Sequence, residues 1–162
     1  MRSLLFSISF LAILILSQSA MGQSAYETYS NSRFEYSIDY PKAIFTPQEE
    51  APNGDGRVFL GKGGSELRVW GQNNALFDTL KKAYADDLKE RGAAVTYKAL
   101  LKDGYVISGA KGGKVFYQKT MLNGTDGDGG AIWATFTIEY RKKEKAKYDP
   151  IVRRIASSFK FD

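Results

Sequence analysis

The sequence of 162 residues contains no histidine and no cysteine. Catalysis by Ser-His-Asp or Cys-His groups is therefore impossible, and so are disulfide bonds and zinc sites made from the usual His and Cys ligands. The chain also lacks the glycine-rich nucleotide signatures G-x-G-x-x-G and G-x-x-x-x-G-K-[ST]. An enzyme with this composition would depend on Asp, Glu, Lys, Tyr or Ser, so we interpret the chain as a non-catalytic protein.

Long apolar runs are also absent, apart from residues 4–16 near the N-terminus. This run follows the positive charge of Arg2, and two small residues, Ala20 and Gly22, precede a suitable cleavage point. Such an arrangement is typical of a secretory signal peptide. A retained membrane anchor is the alternative, but it would need ~20 apolar residues. We therefore predict that residues 1–22 are a signal peptide.

The predicted signal peptide indicates where the protein is located and which residues remain in the mature chain. We predict that residues 23–162 form a single domain, located in the periplasm or secreted. A bacterial periplasm accepts proteins without disulfides, provided that the hydrophobic core holds the fold unaided. A chain of this length buries about two-thirds of its unfolded surface, which is enough for a sizeable core.

Alternating hydrophobic residues predict several β-strands. The stretch RFEYSIDYP, residues 33–41, alternates with a period of two and ends at Pro41. Its predicted buried face consists of Phe34, Tyr36, Ile38 and Tyr40. The KGGS stretch, residues 62–65, predicts a hairpin turn because glycine supplies positive φ angles. Further strands are predicted at residues 57–61, 66–70, 95–101, 105–110, 114–122 and 131–140.

Two helices are predicted from apolar residues spaced three and four positions apart. The first ends at Gly92, which suits a left-handed C-cap. Its apolar stripe consists of Leu76, Phe77, Leu80, Tyr84 and Leu88. The second begins with Asp149 as N-cap and Pro150 as the first helical residue, and its buried stripe consists of Ile151, Val152, Ile155 and Phe159. The order of elements predicts an α+β fold in which helices pack on an antiparallel sheet.

The stretch NGTDGDGG, residues 123–130, raises the question of calcium binding. An EF-hand loop needs oxygen ligands at positions 1, 3 and 5 and a bidentate Glu at position 12. Counting from Asp126 places Thr137 at the last position, and counting from Asn123 places Ala134 there. Because neither register ends in Glu, we interpret the stretch as a hairpin turn, for which Gly, Asn and Asp are favoured.

A family resemblance is visible in the stretches RFEYSIDYP, NGDGRVF, ELRVWG, YVISG, KVFYQK and YDPIVRRIASSF. Together they resemble small exported bacterial proteins with a PsbP-like fold, a superfamily that also includes the Mog-type Ran-binding proteins. The resemblance extends from about Tyr26 to Phe161. It implies a three-layer α/β/α sandwich with a mainly antiparallel central sheet of about six to seven strands and two main helices. It also implies a binding or assembly role. Because the plant members linked to metal use His, we predict no metal site and no cofactor.

Positive charge is concentrated near the C-terminus. Residues 141–162 contain eight basic and three acidic side chains, whereas residues 23–140 contain 14 basic and 15 acidic ones. Such a cluster suits an anionic partner, either lipid headgroups or an acidic envelope protein, although a solvated helix surface is the simpler alternative. Without interleaved aromatic residues, nucleic acid is not an expected partner. The candidate binding residues are Arg141, Lys142, Lys143, Lys145 and Lys147.

Two further pairs of residues suggest sites. Asp86 and Asp87 are adjacent on the first helix, so their side chains point about 100° apart and do not converge on a substrate. Trp70 and Trp133 have rings that would stack on sugars, but both lie in strong strand patterns, and we predict that both belong to the core. We therefore predict a periplasmic binding or assembly domain for an envelope component. The alternative is a hydrolase that acts on envelope glycans through carboxylates, which two convergent acids in a pocket would favour.

Overall fold

The structure, a computed structural model, describes residues 25–162, and the predicted signal peptide lies outside the described residues. The strands in this part of the chain are β1 (Tyr26–Asn31), β2 (Tyr36–Pro41), β3 (Phe45–Glu50), β4 (Gly56–Gly61), β5 (Glu66–Asn73), β6 (Val95–Leu100), β7 (Gly104–Lys111), β8 (Lys114–Asn123), β9 (Ile132–Arg141) and β10 (Lys160–Phe161). The helices are α1 (Leu80–Arg91) and α2 (Lys145–Ser158). Neither of these two helices is long and apolar enough to cross a membrane.

Seven of the strands form a large antiparallel sheet in the order β3-β4-β5-β9-β8-β7-β6. Most neighbours in this order are joined by hairpins, and the exception is β9, which returns to pair with β5. The other three strands form a small antiparallel sheet in the order β1-β2-β10. In it, Phe161 pairs with Tyr36, so the last strand lies beside the second one.

The small sheet and α2 cover one face of the large sheet. Apolar side chains from both sheets and from α2 form one cluster there, and Tyr36, Ile38 and Phe136 in it are completely buried. The rings of Tyr140 and Tyr148 stack in this cluster with their centroids 4.5 Å apart. Since each large apolar side chain stabilises the fold by ~1.5–3 kcal/mol when buried, this cluster is the main core.

Helix α1 covers only part of the other face. It lies over β6 and β7, and its Leu80 packs with Tyr105, Ile107, Leu122 and Trp133 in a second, smaller cluster. Among the described residues, no helix lies above the same face of β4 and β5, because α1 does not reach that far across the sheet. The molecule therefore has three layers, which are α1, the large sheet, and α2 with the small sheet. This arrangement confirms the predicted α+β fold.

Strands β1, β3 and β10 are not predicted from the sequence. Most side chains of β1 and β3 are exposed, and all three strands lie at the edge of a sheet. Edge strands tolerate residues such as Pro47, and they need no strict alternation. The predicted strand over residues 33–41 begins later, at Tyr36, because Glu35 takes a φ angle of 52°. The predicted face of this strand is confirmed, since its four apolar residues are all buried.

The predicted start of the first helix is wrong. Helix α1 begins at Leu80, where the side chain of Thr79 accepts a hydrogen bond from the amide of Lys82. Leu76 and Phe77 precede the helix and are 80% and 68% exposed. Their spacing imitates a helical stripe, but only the later members of that stripe belong to the helix. The predicted end is correct, because the amide of the C-cap residue, which has a φ angle of 53°, bonds back into the helix.

The predicted start of the second helix is also wrong. Helix α2 begins at Lys145 rather than at Asp149, and Pro150 lies inside it. The reason is Tyr148, which is completely buried and donates a hydrogen bond of 2.8 Å to Oγ of Ser65. This anchored side chain stabilises the additional turn, although the proline removes one backbone hydrogen bond. The predicted stripe is confirmed, since the following residues are buried: Ile151, Val152, Ile155 and Phe159.

Candidate functional site

The candidate basic residues lie where β9 ends and α2 begins. Arg141 is the last residue of β9, Lys142 and Lys143 begin a short 3₁₀ turn, and Lys145 and Lys147 belong to the first turn of α2. All five side chains are exposed. The positive charges of all five candidate residues therefore face solvent.

These charges differ in how far the protein itself neutralises them. Nζ of Lys145 lies 2.7 Å from a carboxylate oxygen of Asp149. Lys147 lies over an aromatic ring, with its Nζ 5.2 Å from the ring centroid of the tyrosine that follows it. Lys142 and Lys143 form no ion pair with any residue between 25 and 162. The middle of the segment is thus the part with uncompensated charge.

Two glycine-containing turns contact residues 141–147, called the basic segment below, at the same end of the large sheet. One joins β4 to β5, and Nε of Arg141 donates a hydrogen bond of 2.6 Å to the carbonyl oxygen of Gly63 in it. The other joins β7 to β8, and the amide of Lys142 donates a hydrogen bond of 2.8 Å to the carbonyl oxygen of Gly113. The first turn has the predicted hairpin geometry, since Gly63 and Gly64 have φ angles of 75° and 78°.

These turns add lysines that are far from the segment in sequence. Lys62 begins the first turn, Lys111 and Lys114 flank the second, and Lys114 pairs in register with Arg141. The complete group, called the basic end below, consists of Lys62, Lys111, Lys114, Arg141, Lys142 and Lys143. Nζ of Lys114 lies 3.9 Å from a carboxylate oxygen of Glu139. Lys62 and Lys111 have no ion-pair partner within residues 25–162.

The opposite end of the large sheet has the opposite charge. The connections there are residues 51–55, 74–79, 101–103 and 124–131. They contain five aspartates and one lysine. The protein is therefore polarised along the direction of its strands, with a positive potential at the basic end and a negative one at the other.

The glycine- and aspartate-rich stretch at this acidic end is a turn, as predicted, and it has a structural role. Oδ1 of Asp126 accepts a hydrogen bond of 2.6 Å from the amide of Leu80, the first residue of α1. The buried side chain of Asn74 donates to the carbonyl oxygen of Asp128 at 3.1 Å. Within residues 25–162, no three His, Cys, Asp or Glu side chains are grouped so that they would hold a metal ion.

A cleft lies on the open part of the large sheet, beside α1, and we call it the sheet cleft. Its floor consists of side chains from β4, β5, β7, β8 and β9, and α1 forms one wall. It contains two hollows of about 580 Å³ and 410 Å³, and Trp70 and Arg91 line both of them. The two hollows therefore adjoin at these side chains.

The two tryptophans, both predicted to lie in the core, have different environments. Trp133 is 5% exposed and belongs to the cluster beneath α1, which confirms the prediction. Trp70 is only half-buried, and its side chain lines the sheet cleft, so the prediction is wrong for this residue. Alternation along β5 places Trp70 on the same face of the sheet as α1, in the part that α1 does not cover, whereas the neighbouring Val69 is buried in the main core.

A hydrogen-bond network connects α1 to the floor of the cleft. One carboxylate oxygen of Asp87 accepts hydrogen bonds of 2.5 Å from the hydroxyl of Tyr105 and from Nε2 of Gln118. Nη2 of Arg91 donates to Oε1 of Gln118 at 3.2 Å. Burial, together with the hydrogen bond to Asp87, raises the pKa of Tyr105, so its hydroxyl keeps its proton. Asp87 is thus part of the wall, and Asp86, whose side chain is exposed, also lines the second hollow.

Two carboxylates face each other across the cleft floor. Glu66 on β5 and Glu139 on β9 are paired in register. Each has a cationic neighbour, since Nη2 of Arg68 lies 2.8 Å from Glu66 and Nη1 of Arg91 lies 4.0 Å from Glu139. Both carboxylates of this pair are thus already engaged by cations of the protein itself.

Comparison with solved structures identifies the architecture. The solution structure of cyanobacterial PsbP (CyanoP) from Synechocystis sp. PCC 6803 matches with a TM-score of 0.60 and 16% sequence identity, over 91% of this chain and 99% of that chain. The chain has a PsbP-like fold. The crystal structure of the Saccharomyces cerevisiae Ran-binding protein Mog1p also matches this chain. Its TM-score is 0.50 and its sequence identity 9%, over 84% of this chain and 95% of that chain.

These similarities confirm the predicted resemblance at the level of the fold. No protein-family model matches the sequence, and no curated protein matches it. Many unrelated functions are found on one fold, so the PsbP-like fold alone does not assign one. Function must therefore be inferred from the basic end and the sheet cleft.

Proposed function

We propose that the chain is an exported, non-catalytic binding domain that docks on an anionic lipid surface through its basic end, where it binds or helps to assemble an envelope component. The observation that supports this most is the meeting of three separate segments, each with lysines, at one end of the large sheet. Four of these lysines have no acidic partner within residues 25–162, namely Lys62, Lys111, Lys142 and Lys143. Charges that the protein does not neutralise are available to a partner.

A lipid surface suits this end better than an acidic protein does. All but one of its side chains are lysines, whose compact, hydrated charges do not need the fixed bidentate geometry that arginine uses. The sheet register brings the two glycine turns and the start of α2 to one rim, so their lysines reach a flat surface together. Each lysine near an anionic bilayer contributes ~1 kcal/mol, so four of them would give a reversible attraction of roughly 4 kcal/mol.

The location of the protein follows from the signal peptide predicted for residues 1–22, which favours the periplasm or secretion. In the periplasm the domain would meet the phosphate groups of phospholipids and lipopolysaccharide. The complete absence of His and Cys from the sequence supports a role without acid-base or thiol catalysis.

Vesicle sedimentation tests this proposal. The mature protein, residues 23–162, is mixed with vesicles of phosphatidylcholine alone or with phosphatidylglycerol added. We expect sedimentation only with the anionic vesicles, and we expect it to disappear as the salt concentration rises, because salt screens exposed charges. Changing Lys142→Glu and Lys143→Glu together should lower the affinity by roughly 30-fold or more, since each lysine contributes ~1 kcal/mol.

Two further double variants make the test specific. Lys62→Glu with Lys111→Glu should weaken binding to a similar degree, although both residues lie outside the basic segment of the sequence. Lys81→Glu with Lys102→Glu changes the net charge equally at the acidic end, and it should leave most binding intact. Binding that is independent of salt, or that survives the Lys142 and Lys143 reversals, would contradict the proposal. An acidic envelope protein recovered by crosslinking, without any vesicle binding, would replace the lipid surface as the partner.

A further inference from the structure

The indole ring of Trp70 lies in the sheet cleft without a stacking partner. Its cross-strand neighbours in register are Gly56, which has no side chain, and the small Thr135. Along β5, the residues on the same face are Arg68 and Gln72, both exposed. Within residues 25–162, no aromatic ring pairs with the indole and no cation lies over it. The large flat indole ring therefore faces the cleft, and the residues next to it are either small or polar.

Polar groups of both kinds surround this ring. Carboxylates of Glu66 and Glu139 supply acceptors, and Arg68 and Arg91 supply donors. Their charges compensate each other, since each carboxylate lies within 4.0 Å of an arginine nitrogen. The second hollow adds the amide of Gln72, other amide and hydroxyl groups, and the carboxylates of Asp78, Asp86, Asp87 and Glu90. The cleft therefore offers many hydrogen bonds around an aromatic platform, and its second hollow is mainly acidic.

We propose that the sheet cleft binds a saccharide. A pyranose ring has a C–H face that packs on an indole and an edge of hydroxyl groups, each of which both donates and accepts hydrogen bonds. Trp70 would hold the C–H face, while Arg68, Glu139 and Gln72 would bind the hydroxyls. The volumes of the two hollows lie in the range of small-molecule sites, and two adjoining hollows along the sheet suit a linear oligosaccharide. The first hollow borders the basic end, since Lys114 lines it, but Trp70 and Gln72 do not belong to the basic end.

Nuclear magnetic resonance of the indole N–H groups tests the proposal. The sequence has only two tryptophans, so two indole signals report on one residue in the cleft and one in the core. The mature protein is titrated with chitotetraose, with cellotetraose and, as a cationic probe, with spermine. We expect at least one of the two sugars to shift the Trp70 signal in a saturable way and to shift the Trp133 signal less, because Trp133 borders the second hollow but is only 5% exposed. A shift with spermine and with neither sugar would overturn the saccharide assignment.

Variants then locate the bound sugar. Trp70→Ala should weaken binding at least tenfold, and Gln72→Ala, which changes an exposed side chain, should weaken it less. If Trp70→Ala disturbs folding, Trp70→Phe keeps a smaller ring and should bind more weakly than the unchanged protein. The Lys142→Glu and Lys143→Glu variant should bind the sugar with unchanged affinity, whatever its effect on vesicles. Failure of both sugars to shift Trp70, or unchanged affinity in both the Trp70→Phe and Gln72→Ala variants, would refute the proposal.

Discussion

The amide of Leu80, at the start of α1, donates its hydrogen bond to the carboxylate of Asp126, which lies 46 residues later in the sequence. The first amides of a helix have no partner within the helix, and a carboxylate placed there also interacts favourably with the helix dipole. A loop with the composition of a calcium site thus serves as the cap of a distant helix.

Removing this cap should destabilise the protein without any involvement of calcium. Loss of a capping side chain typically costs ~1 kcal/mol of unfolding free energy, so Asp126→Ala should lower the melting temperature by roughly 3–5 °C. Asp103→Ala, an exposed aspartate at the same end, is the matched control and should change stability little. A calcium-dependent rise in melting temperature that Asp126→Ala and Asp128→Ala abolish together would contradict this interpretation.

The buried hydrogen bond from Tyr148 to Ser65 should behave as a coupled pair. Ser65→Ala leaves the tyrosine hydroxyl buried without its partner, which should cost ~1–3 kcal/mol of unfolding free energy. Tyr148→Phe should cost ~1–2 kcal/mol, and the double variant should cost less than the sum of the two. Urea unfolding of the four proteins measures the coupling. Strictly additive losses would mean that the bond contributes nothing to the position of α2.

Stability should fall steeply in alkaline solution. Burial raises the pKa of Tyr117 and of Tyr140 to about 12, whereas an unfolded tyrosine loses its proton near pH ~10. The stability that each contributes is therefore fully present below pH ~10 and is lost as the pH rises from there towards 12. One such group changes the unfolding free energy by at most ~1.4 kcal/mol per pH unit. Tyr117→Phe should reduce this slope in urea unfolding measured above pH ~10, and an unchanged slope would show that this ring does not contribute.

The strongest patterns in the sequence were sufficient for most of the fold. The alternation that ends at Pro41 predicts the buried face of β2, and the stripe around Ile155 predicts the buried face of α2. The start of α1 combines a local signal, the N-cap Thr79, with the long-range contact of Asp126. The start of α2 escaped prediction because it depends on the long-range contact of Tyr148, of which the local sequence gives no sign.

The candidate sites show the same division between local and distant information. The basic segment is visible in the sequence because its residues are consecutive. Lys62 and Lys111 join it only through the register of the large sheet, and the Lys-Gly-Gly that occurs in both turns is the only local signal that they share. The exposure of Trp70 depends on how far α1 extends across the sheet, which no pattern within β5 encodes.

The pairing of Phe161 with Tyr36 has a consequence for the order in which the protein is made. The ribosome produces β1 and β2 first and their third strand more than a hundred residues later. The small sheet cannot be complete until Phe161 has been synthesised, and α2, which packs with that sheet against the main core, is also among the last segments to appear. The nascent chain therefore cannot finish folding until its synthesis is nearly complete.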